Sequence, residues 1–380
     1  MAGTANDTLP LQDDSQTLSI DLSIATASQI LFGILGVLGN ALCFAVLRRQ
    51  ARDNNTNWLI VTQSAIDFIT SLILIINTIQ TTWYPFSPPH KGLGAELFCR
   101  VWNSRVATFS GFAISTFNLT IISLERFVAV VHPVLYMTRL KRRTIYLIAA
   151  VAWLTAPTLQ IMFAVVLFDY DEASAKDCII VQTSAAFPIA SGVATFLVEF
   201  FMPVVIMGYS FARITAKLRT FKRVRPAAGT NSDGPPPTCQ STTDEVPMQE
   251  TSGSQRLTTG GPQSSAPPVN NQNVDNPRPV AKSSAEEGRD LRRRNITITL
   301  LIVFVTYLVC WTPNQVTFFV YNVFGVPQNY LGSSLHLYTT ILATFNICVN
   351  PFVYAYRYKA FKQGLSAALS RFTCIRGLYD

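Results

Sequence analysis

The chain has 380 residues, 49% of them hydrophobic and only 14% charged, with a mean hydropathy of +0.28. A charged fraction so far below the ~25% of soluble domains argues against an ordinary water-soluble globule and points to a lipid bilayer as the solvent. The net charge of +8 does not mark a nucleic-acid binder, because the basic residues crowd alternate loops between apolar runs instead of forming one face.

Residues 1–23 carry acids and few large apolar side chains, which predicts a flexible amino-terminal tail. Met1 to Asp21 has neither a basic start nor a short apolar core, so no cleavable leader is evident and the first span is expected to act as the insertion signal. Asn6, Asp7 and Thr8 form a glycosylation sequon on this tail. The other matches, at Asn54, Asn118 and Asn295, fall in an inner loop, inside a span and at the inner end of another, and are expected to stay unmodified.

Seven apolar runs follow: Ile24 to Leu47, Trp58 to Trp83, Phe98 to Val131, Thr144 to Leu167, Phe187 to Tyr209, Ile296 to Val323 and Leu335 to Tyr356. Each reaches the ~20 residues that cross a bilayer, and lipid requires backbone hydrogen bonds to close within each segment. The expected fold is an all-α membrane protein, a seven-transmembrane helix bundle with helices one to five in 24–219 and helices six and seven in 292–356. Arg48, Arg49 and Arg52, then Arg139 and Lys141 to Arg143, then Arg213 to Arg225 and Arg292 to Arg294 mark the inner loops, while Lys91, Arg100, Arg105 and Lys176 fall on the other side. By the positive-inside rule this is a multi-pass plasma-membrane protein with its amino terminus extracellular and its carboxyl terminus cytoplasmic.

In span one, Gly33, Gly36 and Gly39 allow close helix approach, and the lone amide of Asn40 needs a partner on a neighbouring helix. Span two carries Asp67 well inside the membrane, with Ser115 on span three and Asn346 and Asn350 on span seven as candidate partners. Acid, hydroxyl and amide oxygens suit a hard monovalent cation, a proton, or a purely structural hydrogen-bonded network, and no soft metal ligands accompany them. Cys99 to Pro133 reads as one long helix ending in Glu125 and Arg126. Cys99 and Cys178 both fall on the oxidising side and are expected to form a disulfide. Pro157, Pro203, Pro313 and Pro351 predict kinks in spans four to seven.

Residues 220–291 are rich in Pro, Gly, Ser, Thr, Gln and Asn and should form a disordered third cytoplasmic loop whose hydroxyls are candidate phosphorylation sites. Residues 357–380 open with Tyr358, Phe361 and Leu365 on one helical face, predicting a short amphipathic eighth helix on the inner membrane surface, with Cys374 beyond it as a candidate palmitoylation site.

These residues, taken together from about Ile24 to Cys374, resemble the rhodopsin-like (class A) G protein-coupled receptors, and among these the peptide receptors. The resemblance rests on Gly39 and Asn40; Ala65 and Asp67; Cys99, Ser115 and Glu125–Arg126–Phe127; Trp153; Pro203; Cys310–Trp311–Thr312–Pro313; and Asn346, Asn350, Pro351 and Tyr354 followed by Phe361. It implies that Glu125 holds Arg126 at rest and releases it toward a heterotrimeric G protein. It also implies that Trp311 and Pro313 form an aromatic switch over a kink, and that Asn350, Pro351 and Tyr354 rearrange at the inner end. Asp67, Ser115, Asn346 and Asn350 resemble a sodium pocket; no cofactor is expected beyond such an allosteric ion. Arrestin and receptor kinases are further partners that the resemblance suggests. Departures include Phe127 for a tyrosine, Phe211 for a tyrosine that pairs with Tyr354, Arg293 where some members place an acid, and a Cys99 to Arg126 spacing longer by two, read as an extended outer end.

Counting back from Arg126 places Arg105, Thr108, Phe109 and Phe112 on the pocket side of span three, without the acid that amine receptors use there. Glu199, Asn314, Gln315, Phe318, His336 and Thr340 complete the candidate ligand pocket. Glu199 requires either a protein partner such as Arg105 or a cationic ligand. Acids in the outer loop and the tail favour a basic peptide as the extracellular ligand, with a small molecule as the alternative. A transporter would show internal repeats, and an enzyme a catalytic constellation; neither is visible, and the histidines at 90, 132 and 336 fall at separate membrane levels.

Overall fold

The computed structural model describes residues 10–52, 54–84, 92–171, 178–223, 284–327, 330 and 332–376, with the side chains of 10–17, 221–223, 284–290, 292–293 and 371–376 left out. Asn6, most of the 220–291 loop, and the side chains of Arg293 and Cys374 therefore lie outside the described residues.

Among the described residues, seven helices are long and apolar enough to cross a membrane: Leu18–Leu47, Asn55–Trp83, Val106–Val131, Arg142–Leu167, Ala186–Thr220, Arg294–Phe324 and Ser334–Arg357. Span three sits centrally, packed on spans two, four, five and six, while span one leans on two and seven. Span four is the most peripheral, with Leu147, Val151 and Leu154 exposed at 66%, 53% and 78%. Such an outward apolar stripe is costly in water and natural in lipid.

Close approach between spans one and two depends on missing side chains, because a Cβ at Gly36 would collide with Ser71 and one at Gly33 with Ile75. The Asn40 amide then donates to Ile347 O of span seven at 2.9 Å, tying three helices together. Span four breaks at Ala156 and Pro157, and spans six and seven carry Pro313 and Pro351 within continuous helices. In span five a π-helical turn, Phe196–Phe201, precedes Pro203.

Two features differ from the sequence expectation. The first helix begins at Pro10, not at Ile24. Asp21 lies buried within it and accepts hydrogen bonds from Ser334 and, at 2.8 Å, from Tyr338 of span seven, so partners far along the chain hold a stretch that composition alone marks as loose. Span three is not one helix from Cys99. A π-helical segment, Phe98–Asn103, is followed by Ser104 and by Arg105 in the left-handed region (φ 56°), and the regular helix starts at Val106. The two surplus residues are thus wound into wide turns and a break instead of extending the outer end.

Cys99 and Cys178 are bridged, with Cα atoms 5.3 Å apart. The bridge fastens the top of span three to a hairpin of Phe168–Tyr170 and Cys178–Ile180, paired antiparallel with Tyr170 opposite Cys178. Arg100 secures the same hairpin through Phe168 O and Asp169, both at 3.1 Å. After span seven, the helix Lys359–Arg376 buries Tyr358 at its start and Phe361 while Lys359 and Lys362 face outward, as its amphipathic spacing requires. Tyr358 donates to Asn57, and Gln50 donates to Ala360 O at 3.0 Å, so the first inner loop and the eighth helix brace each other.

Candidate functional site

At the outer end, the expected pocket residues divide by neighbour. Thr108, Phe112, Glu199, Gln315 and Trp311 are buried, and Phe112 meets Trp311 edge-on at 5.4 Å. Thr108 Oγ1, Glu199 Oε1, Gln315 Oε1 and Trp311 Nε1 are buried polar atoms with no hydrogen-bond partner among the described residues. Orphaned polar atoms of this kind cost about 1–3 kcal/mol each unless a ligand or water satisfies them. Phe109 remains 40% exposed, Asn314 donates weakly to Thr340 at 3.4 Å, and Phe318 packs near Phe163. His336 is engaged locally: its Nδ1 accepts from the Gly332 amide at 3.2 Å in the turn that starts span seven.

Glu199 does not pair with Arg105. Its Oε2 accepts from Gln160 of span four at 2.8 Å, while Arg105 donates to Thr81 of span two at 3.1 Å. The left-handed backbone at Arg105 sends the side chain toward span two, and Gln160, a residue that sequence reasoning missed, takes the acid instead. Among the described residues neither Glu199 nor Arg105 has an oppositely charged partner.

At mid-membrane, Asp67 is fully buried and accepts four hydrogen bonds: from Ser115 at 2.8 Å, from Asn350 at 3.2 Å, and from the Gln63 amide on both oxygens at 3.0 and 3.1 Å. Ser115 and Asn350 were expected here; Gln63 was not, although its place one turn before Asp67 was a readable signal. Asn118 fixes Gln63 by donating to its carbonyl at 2.8 Å and to Leu59 O at 3.1 Å. Asn346 is buried on span seven one turn before Asn350, and the Oδ1 atoms of both asparagines have no partner among the described residues.

Below Trp311 lies an apolar layer of Leu119, Ile122, Met207, Phe211, Leu300 and Phe304. Phe211 stacks on Phe304 at 5.6 Å, and the buried Tyr354 hydroxyl has no partner among the described residues. Beneath that layer, Arg126 donates to Glu125 through Nε at 2.8 Å and through a terminal nitrogen at 3.2 Å. Thr56 and Tyr136 each add a hydrogen bond to the same carboxylate at 2.8 Å. Tyr136 stands on the short helix Pro133–Arg139, and burial followed by the Glu125 charge pushes its phenol up to about 12. Neither Thr56 nor Tyr136 could be assigned from the sequence, because their contacts cross 69 and 11 positions without a spacing rule.

The family model described as 7 transmembrane receptor (rhodopsin family) matches residues 39–354. The chain is similar to the allatostatin-A receptor of Bombyx mori, 21% identical over 335 residues that cover 87% of this chain and 75% of the relative. It is similar to somatostatin receptor type 4 of Rattus norvegicus, 23% identical with 90% and 71% covered. A galanin-like G-protein coupled receptor of Caenorhabditis elegans is 23% identical with 92% and 74% covered.

Proposed function

The chain belongs to the rhodopsin family of seven-transmembrane receptors, and from that premise we propose that it binds an extracellular peptide and promotes GDP release from a heterotrimeric G protein. It is a multi-pass membrane receptor and not an enzyme. The observation that carries the coupling reading is the Arg126 guanidinium, buried at the inner end of the central helix and held by Glu125, whose carboxylate also accepts from Thr56 and Tyr136. An ionic lock of this kind gives two discrete states, one with the arginine folded onto its own helix and one with it free for a partner. Agonist binds the open state more tightly, span six swings about Pro313, and the equilibrium shifts.

Relatives named for allatostatin-A, somatostatin and galanin support a peptide ligand. Glu199, with one free carboxylate oxygen and no cationic partner among the described residues, suits a basic group on that peptide. The orientation with the amino terminus outside follows the distribution of basic residues. Arrestin and receptor kinases are further partners that membership of the family suggests, with hydroxyls of the 220–291 segment as candidate phosphorylation sites.

A second-messenger screen of peptide and small-molecule libraries in cells expressing the chain tests the reading. Saturable responses to peptides are expected; responses to non-peptides alone would reject the ligand class.

A further inference from the structure

The Asp67 and Ser115 oxygens that the sequence offers to a sodium ion are already engaged. An ionised carboxylate has about four lone-pair sites, and Asp67 accepts four hydrogen bonds, two on each oxygen. The Gln63 nitrogen lies 3.0 and 3.1 Å from those two oxygens and 2.5 Å from Ser115 Oγ. Three oxygens therefore converge on one neutral amide nitrogen, in the place a small hard cation would take. The amide cannot simply turn over, because Asn118 donates to its carbonyl at 2.8 Å and would then face a second donor. Asn118 is itself anchored on Leu59 O.

We propose that Gln63 is a built-in occupant of the Asp67 site, so that this receptor excludes sodium where the sequence pattern suggests that it binds the ion. The residues as they stand do not fit the ion: binding would strip both Gln63 hydrogen bonds from Asp67 and set the cation against an amide N–H group that Ser115 Oγ holds at 2.5 Å. The charge of Asp67 is met by neutral donors from spans two, three and seven, which bulk sodium does not modulate. Removal of the amide leaves Asp67 and Ser115 with free acceptor capacity, next to a span seven whose Asn346 and Asn350 carbonyl oxygens are unpartnered among the described residues. The site then becomes a hard-oxygen cation site.

The test uses the full chain purified in detergent and followed by thermal unfolding in NaCl, KCl or choline chloride at equal ionic strength. The unmodified receptor is expected to melt at the same temperature in all three salts. Gln63→Leu is expected to gain a saturable rise in melting temperature in sodium alone, absent from a Gln63→Leu/Asp67→Asn double variant. Gln63→Met serves the same purpose should the leucine variant fail to fold. A saturable, sodium-specific rise in the unmodified receptor that disappears in Asp67→Asn would overturn the proposal. So would a folded Gln63 variant that remains indifferent to sodium, since the amide would then not be what excludes the ion.

Discussion

Asp67 and Glu125 are two buried carboxylates that each accept four hydrogen bonds, yet they are satisfied by different chemistry. Glu125 meets a guanidinium from the next residue plus two hydroxyls, and its partner Arg126 has a side chain only 8% exposed. Among the described residues Asp67 meets only neutral donors, spread over three helices. The first arrangement is local and ionic, so one side-chain motion opens it and sets a cation free. The second is distributed, so it senses the register of span seven against spans two and three and opens only when helices move. One carboxylate is built as a latch and the other as a joint.

Replacing Asp67 by Leu should strike hardest, because it leaves Gln63, Ser115 and Asn350 without their acceptor. A loss of about 3–5 kcal/mol is expected in thermal unfolding of the purified receptor, and Asp67→Asn should lose much less. A Leu variant as stable as the parent would remove the joint from the comparison. The latch should respond in activity instead: Glu125→Gln weakens a charge-assisted contact worth about 1.5–3 kcal/mol, so basal nucleotide exchange should rise about tenfold or more. Unchanged basal exchange would mean that Glu125 does not restrain Arg126.

Glu199→Gln should weaken a basic peptide agonist about tenfold or more in competition binding while sparing uncharged ligands. Tyr136→Phe removes one hydrogen bond from the latch, about 1 kcal/mol, and should raise basal exchange about fivefold. The phenol pKa of about 12 stands above its ordinary value, so its contribution is complete below pH 10 and fades only as pH rises through 12. Basal exchange should therefore show no Tyr136-dependent step between about pH 6 and 9, measured as the difference between parent and Tyr136→Phe.

The seven spans and the amphipathic helix were legible because lipid leaves a run of ~20 apolar residues few other options. Asn40 and the prolines were legible for the same reason, each being a local exception in an apolar helix. The early start of span one was not, since Asp21 finds Ser334 and Tyr338 more than three hundred positions away. The two-residue surplus before Arg126 was visible, but its fate depended on the Cys99 tether to the hairpin, which allows wide turns and a left-handed Arg105. In the site, residue types named the acids, with Ser115 and Asn350 at Asp67 and Arg126 at Glu125, but missed the other partners. Gln63 was one helical turn from Asp67, Asn118 drew notice only as a sequon, and Gln160 claimed the acid that Arg105 was expected to meet.

Guanine-nucleotide exchange on a reconstituted G protein, compared for Glu125→Gln, Arg126→Ala and the double variant in membranes with equal receptor content, tests the coupling account most directly. Release of the latch should raise exchange in Glu125→Gln, and both variants lacking the arginine should be silent, the double no more active than Arg126→Ala. Exchange in the double variant at the Glu125→Gln level would contradict the account, because the inner face would then engage its partner without the guanidinium.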